Sequence, residues 1–132
     1  ALACLWRQID YRFPEKVFSA GLSVSGIYDL RVLTQVHSVN ADLQLTFDSA
    51  KKVSPALMPP PKDVLLTIAV GEEEIGGFLD QHHQIARRWP KVVEENILCA
   101  NNHHFDILLG FADENHVLGK AMMRILQSTI DT

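Results

Sequence analysis

The sequence predicts an α/β fold, a three-layer α/β/α arrangement around a mainly parallel sheet, and three observations predict it. An apolar run from Val64 to Val70 stops at Gly71-Glu72-Glu73-Glu74, a second, Ile97-Leu98-Cys99-Ala100, stops at Asn101-Asn102-His103-His104-Phe105, and one helix-length segment lies between them. A buried strand, a helix and another buried strand form a right-handed βαβ unit, so both carboxyl ends open on one edge of the sheet, where open α/β folds place their sites. An acid and a histidine meet at that edge.

Taken in order, Ala1-Leu2-Ala3-Cys4-Leu5-Trp6 carries apolar residues at helical density with no cap, no Met and no positively charged lead. It reads as a helix entered midway rather than a signal peptide, and the chain is expected to be a fragment with upstream sequence missing. A polar connection over 10–16 leads to a β-rich run, 17–24, ending at Ser25-Gly26. Residues 30–57 hold short, interrupted helical patterns closing at Ser54-Pro55, where proline disfavours helix in the residue before it. The stretch 30–62 is expected to be a surface excursion within the domain, a cap or lid.

Pro59-Pro60-Pro61-Lys62 forms a stiff lead-in to a second strand, 63–70, whose near-continuous apolar character indicates burial on both faces, which helices must cover. Phe78, Leu79, His82, Ile85, Ala86 and Trp89 recur at helical spacing, and Pro90 ends that helix. A third strand is expected over about 96–100. From Val117 to Ile130, the stripe Leu118, Ala121, Met122, Ile125, Leu126 and Thr129 predicts a final amphipathic helix packed on the core. Three strands make a thin sheet, so the edge beside the first strand is expected to pair with something outside this sequence.

One domain is the default at 132 residues, and the 47% hydrophobic and 21% charged fractions are those of a globular protein, with no apolar run of the ~20 residues a membrane span needs. A net charge of -4 with scattered Lys and Arg leaves no basic stripe for phosphates, which argues against nucleic acid as a partner. Cys4 and Cys99 sit in apolar surroundings without Cys-x-x-Cys spacing, consistent with buried free thiols and a cytoplasmic location. The adjacent pairs His82-His83 and His103-His104 lack metal-ligand spacing, because neighbours on a helix point about 100 degrees apart. Neither a metal nor another cofactor is expected.

Chemistry concentrates at the strand ends. In a Ser/acid/His hydrolase the histidine takes the serine proton, and a carboxylate on its other nitrogen fixes the tautomer. On an α/β-hydrolase scaffold the chain order is nucleophile, acid, histidine, and Glu74 followed by His104 fits the last two. The residues alone leave other readings open: Glu72 or Glu73 as the acid, a solvated turn at a helix N-terminus, or His104 as a capping or core histidine; His103 is expected to fill the turn rather than act as a second base.

Longer strings add to this. Ser25-Gly26-Ile27-Tyr28-Asp29-Leu30-Arg31, Asn40-Ala41-Asp42-Leu43, Ser54-Pro55, Val70-Gly71-Glu72, Phe78-Leu79-Asp80-Gln81 and His104-Phe105-Asp106 together resemble the carboxyl-terminal half of the kynurenine formamidase (arylformamidase) and carboxylesterase-like branch of the α/β-hydrolase superfamily, over most of residues 17–126. The resemblance implies the carboxyl-terminal part of a single α/β-hydrolase domain acting on a small-molecule ester or formamide. It places the triad acid at Glu74 and the base at His104, and Tyr28 and Asp29 either at the substrate pocket or in turn and capping roles.

Two departures stand out. The family's acid is usually Asp, whereas this chain has Glu followed by Ile75-Gly76-Gly77 in place of a more polar stretch, and Glu72 and Glu73 stay open as alternatives. The His-Gly-Gly oxyanion loop and the Gly-x-Ser-x-Gly elbow, which in the family lie upstream, are absent; Gly21-Leu22-Ser23-Val24-Ser25-Gly26 has its second Gly one place late, so Ser23 is not expected to be the nucleophile. The chain alone is therefore expected to be inactive. The rival expectation is a non-catalytic α/β scaffold or interaction module. Its open sheet edge would then hold a second copy, as a homo-oligomer, where the hydrolase reading has it pair with the missing amino-terminal part.

Overall fold

Three parallel strands form the centre: β1 (Ala20–Val24), β2 (Leu65–Gly71) and β3 (Val93–Cys99), in the spatial order β1-β2-β3, in a computed structural model that describes residues 19–130. The expected helix at the amino terminus, Cys4, and residues 17 and 18 of the first strand lie outside the described residues. β2 is central and almost wholly apolar because ladders flank it on both sides and both of its faces are covered.

Helix α1 (His37–Leu43) and helix α2 (Phe47–Lys52) lie in the excursion between β1 and β2, α3 (Gly76–Arg88) connects β2 to β3, and α4 (Val117–Ile130) closes the chain. Strand alternation divides the core in two. On one face Leu66 and Ile68 pack with Tyr28, Ile85, Trp89 and Val92 under α3, and on the other Ala69, Ile97 and Cys99 pack with Ile107, Leu118 and Ala121 under α4. The βαβ unit read from the sequence is thus present, with helices on both sides of the sheet.

The third strand departs from expectation. It begins at Val93, three residues early, and alternates buried and exposed positions, so that Leu98 is 50% exposed between buried Ile97 and Cys99. β3 is an edge strand among the described residues, and solvent along its open side lets Glu94, Glu95 and Asn96 occupy strand positions. An irregularity of pairing between Leu66 and Thr67 adds one residue to β3, since Val93 and Glu95 are their respective partners. The α4 stripe is also narrower than expected: Leu118 and Ala121 are buried, whereas Met122 and Leu126 are largely exposed.

The excursion is built from 3-10 turns, Leu30–Gln35 and Pro55–Leu57, around α1 and α2. A capping box between Thr46 and Ser49 starts α2. Ser54, extended before Pro55 as expected, turns its hydroxyl inward, donating to the Ala50 carbonyl and accepting from the Leu30 amide at 2.8 Å. The Ala56 amide donates to the Tyr28 carbonyl, and the Trp89 indole donates to the carbonyl of Met58, so both ends of the excursion are tied down beside the sheet.

Ile68 has no exposed surface and lies in the middle of the α3-side core. Ile68→Ala is expected to cost about 2–5 kcal/mol, through lost transfer energy and an unfilled cavity, read as a lower urea midpoint.

Candidate active site

The carboxyl ends of the three strands carry one connected set of polar side chains. β2 ends at Gly71, and the turn that follows folds back so that the Glu74 amide reaches the Gly71 carbonyl and the Glu74 side chain lies with no exposed surface. Gly71 is required there by contact rather than by dihedral: a Cβ at this position would stand 2.3 Å from the carbonyl oxygen of Asn102. Ladder-like bonds from the Glu72 amide to Cys99 and from the Glu73 amide to Asn102, both 3.0 Å, lace the turn to the end of β3.

Glu74 and His104 meet. Glu74 Oε2 lies 2.9 Å from His104 Nδ1, while Oε1 accepts from the Gly71 amide at 3.0 Å and from the Ser25 hydroxyl. Glu72 and Glu73 are exposed on the turn, so of the three candidate acids only Glu74 contacts the imidazole. A carboxylate at Nδ1 calls for the proton on that nitrogen, which leaves the Nε2 lone pair outward. The His104 side chain is 43% exposed, and its Nε2 has no hydrogen-bond partner among the described residues.

The ring is held on its faces. Phe78, one turn into α3, stacks on His104 with centroids 4.3 Å apart, and Phe105 meets it edge-on at 5.6 Å. The loop below is fixed by Asp106, whose carboxylate accepts from the His103 amide at 2.8 Å and pairs with its ring, and by Asn102, which bonds Asp106 and His116. His103 therefore fills the turn, as the sequence suggested.

Burial pushes the Glu74 carboxyl up, but the hydrogen bonds from Ser25, Gly71 and His104 and the charge of His104 outweigh it, holding the group below its ordinary value. The carboxylate is thus the stable form beside the imidazole.

Tyr28 and Asp29 are both buried and joined to α3. Gln81 Oε1 accepts from both their amides, at 2.9 and 2.8 Å, and Gln81 Nε2 donates to the Asp29 carbonyl. The Tyr28 hydroxyl donates to Ser23 Oγ at 2.7 Å. Asp29 caps the Leu30–Gln35 turn and receives Arg31 Nε and Nη2 at 2.9 and 2.6 Å. Asp29 thus fills the capping role left open in the sequence, and Tyr28 is packed in the α3-side core.

Of the adjacent histidine pairs, His82 is buried against Asn96 on β3, and burial lowers its pKa. Among the described residues no three of His, Cys, Asp and Glu converge as a metal-ligand set. No described helix is long and apolar enough to cross a membrane.

Three contributors were not singled out from sequence: Ser25, Phe78 as a stacking partner, and Gln81. Ser25 was detectable in principle, since it lies at the end of the strand next to the one bearing Glu74.

An α/β protein with an acid and a histidine joined at the carboxyl edge of a parallel sheet is the class these observations define. The chain matches no family model and no curated protein. A solved structure described as a putative thioesterase, from Silicibacter sp. TM1040, is similar over 76% of this chain and 37% of its own, with a TM-score of 0.67 and 29% identity. The chain thus spans little more than a third of that neighbour.

Two tests follow from the geometry. Gly71→Ala forces the turn away from Asn102 and is expected to cost about 1–3 kcal/mol in chemical denaturation. Hydrogen bonding from Arg31 lowers the Asp29 carboxyl from 3.8 to about 2, so its contribution to stability is complete above about pH 4 and is lost as pH falls through about 2. Asp29→Asn retains a cap oxygen without the titration and should lose less stability than the unsubstituted chain across that window, measured by urea unfolding at each pH.

Proposed function

We propose that this chain supplies the acid and the histidine of a serine acyl hydrolase, resembling the arylformamidase and carboxylesterase branch of the α/β-hydrolases and acting on a small ester, thioester or formamide. The observation that carries the reading is the Glu74–His104 pair, with Oε2 2.9 Å from Nδ1 and the imidazole open on its Nε2 side. The putative thioesterase neighbour supports acyl hydrolysis as the reaction type. A cytoplasmic location accords with the buried free thiol of Cys99.

In this reading His104 Nε2 takes the proton of a serine hydroxyl as its oxygen attacks the acyl carbon, and Glu74 stabilises the imidazolium. The same nitrogen returns the proton to the leaving group, and water then repeats the cycle on the acyl-enzyme. The sequence has no Gly-x-Ser-x-Gly, Ser23 is engaged by Tyr28, and Ser25 is engaged by Glu74. In this reading the nucleophile and the oxyanion donors come from residues outside this sequence. On the same reading the outer edge of β1, which pairs with no strand among the described residues, is where further strands would add to the sheet.

The test uses the longer parent protein with p-nitrophenyl acetate and an acyl thioester as substrates. His104→Ala should lower kcat about a thousandfold or more in a protein that circular dichroism shows to remain folded. The 132-residue chain by itself should show no burst. Full turnover by the His104→Ala protein would sink the assignment, and a stable homodimer of an inactive parent would favour the interaction-module alternative.

A further inference from the structure

We infer that Ser25 is a positioning residue, a fourth member of the Ser-acid-His relay that fixes one oxygen of Glu74 so that the other faces His104. The inference rests on the hydrolase reading only for its effect on turnover; the contact itself stands independently.

Ser25 follows β1 directly and has φ 49, a left-handed backbone that a serine adopts only when its surroundings impose it. Those surroundings are visible. The Ser25 amide donates to the Ala69 carbonyl at 2.8 Å, extending the β1–β2 ladder by one bond. Gly26 is pressed against the Tyr28 ring and Ser23, where a Cβ would lie 2.5 Å from Tyr28 Cζ and 2.7 Å from Ser23 Oγ. Tyr28 is held in turn by Gln81 of α3. Strand, turn and helix thus determine the serine backbone, and its hydroxyl points at Glu74 Oε1.

Chain length explains why such a hold is useful. A glutamate has one more rotatable bond than an aspartate, so a carboxylate bound at one oxygen alone could swing away from the imidazole. Here Oε1 takes the Gly71 amide and the Ser25 hydroxyl, and Oε2 is left for Nδ1. Among the hydrogen bonds that Glu74 accepts, the one from Ser25 opposes the effect of burial most strongly. The other ionisable groups that sense Glu74 are His82 on α3 and Cys99 at the end of β3, both buried, while Glu72 and Glu73 on its own turn are exposed.

The test substitutes Ser25→Gly, which deletes the hydroxyl and suits the left-handed backbone. In the 132-residue chain, carbon-13 NMR should show the Glu74 titration midpoint move upward, and nitrogen-15 NMR should show the two ring nitrogens of His104 converge as the tautomers mix. In the parent protein kcat should fall about tenfold with KM nearly unchanged. A folded Ser25→Gly protein with the midpoint and both nitrogen shifts unmoved would overturn the inference. In the unsubstituted chain, where folding is not at issue, the Ser25 hydroxyl proton should be protected from exchange while Glu74 is ionised, and an unprotected proton would overturn it too. An inactive parent whose NMR shifts move as expected would remove the hydrolase reading and leave the placement of Ser25 standing.

Discussion

A carboxylate without solvent exposure must be surrounded by donors, and in this chain that requirement organises the whole carboxyl edge of the sheet. Glu74 receives a backbone amide from its own turn, a hydroxyl from the end of β1 and an imidazole from the loop after β3. Burying the charge without them would cost several kcal/mol. Each donor depends on something further: the amide on a turn that only glycine at position 71 allows, the hydroxyl on the left-handed Ser25, and the imidazole on the Asn102–Asp106 loop.

The surrounding packing keeps those donors in place by two separate routes. On the α3 side, Gln81 clamps the peptide of Asp29 while Phe78 covers the face of His104, so a single helix steadies both ends of the relay. On the α4 side, His116 receives the Leu118 amide at the start of that helix and contacts Asn102, linking the final helix to the loop that carries His104. Two apolar cores share the sheet, one on each face.

Much of this was legible in the sequence, for physical reasons that differ by element. β2 and α3 declared themselves because burial on both faces, or on one helical stripe, leaves a continuous or periodic apolar signature. The first half of β3 did not, since Glu94, Glu95 and Asn96 sit on a strand with no second ladder among the described residues, and a polar run there looks like a loop. Strand ends were readable as the place where an acid and a histidine meet, but position left Glu72 and Glu73 open beside Glu74, and the choice of Glu74 and His104 rested on the longer residue strings. The role of Gln81 was not legible, because its partner Tyr28 lies 53 residues away and hydrophobic patterning carries no information about such pairings, whereas Ser25 shared the strand-end signal that marks Glu74.

The order of the relay, Ser25 then Glu74 then His104, follows the order of the strands, β1 then β2 then β3. Neighbouring strands lie about 4.8 Å apart, so the sheet acts as a ruler that sets each donor and acceptor one interval from the next. A glutamate reaches across such an interval where a shorter acid would need its loop drawn closer. The spacing is therefore inherited from the hydrogen-bond ladder itself, and the turns at Gly71, Ser25 and Asn102–Asp106 have only to aim groups that the ladder has already set one interval apart.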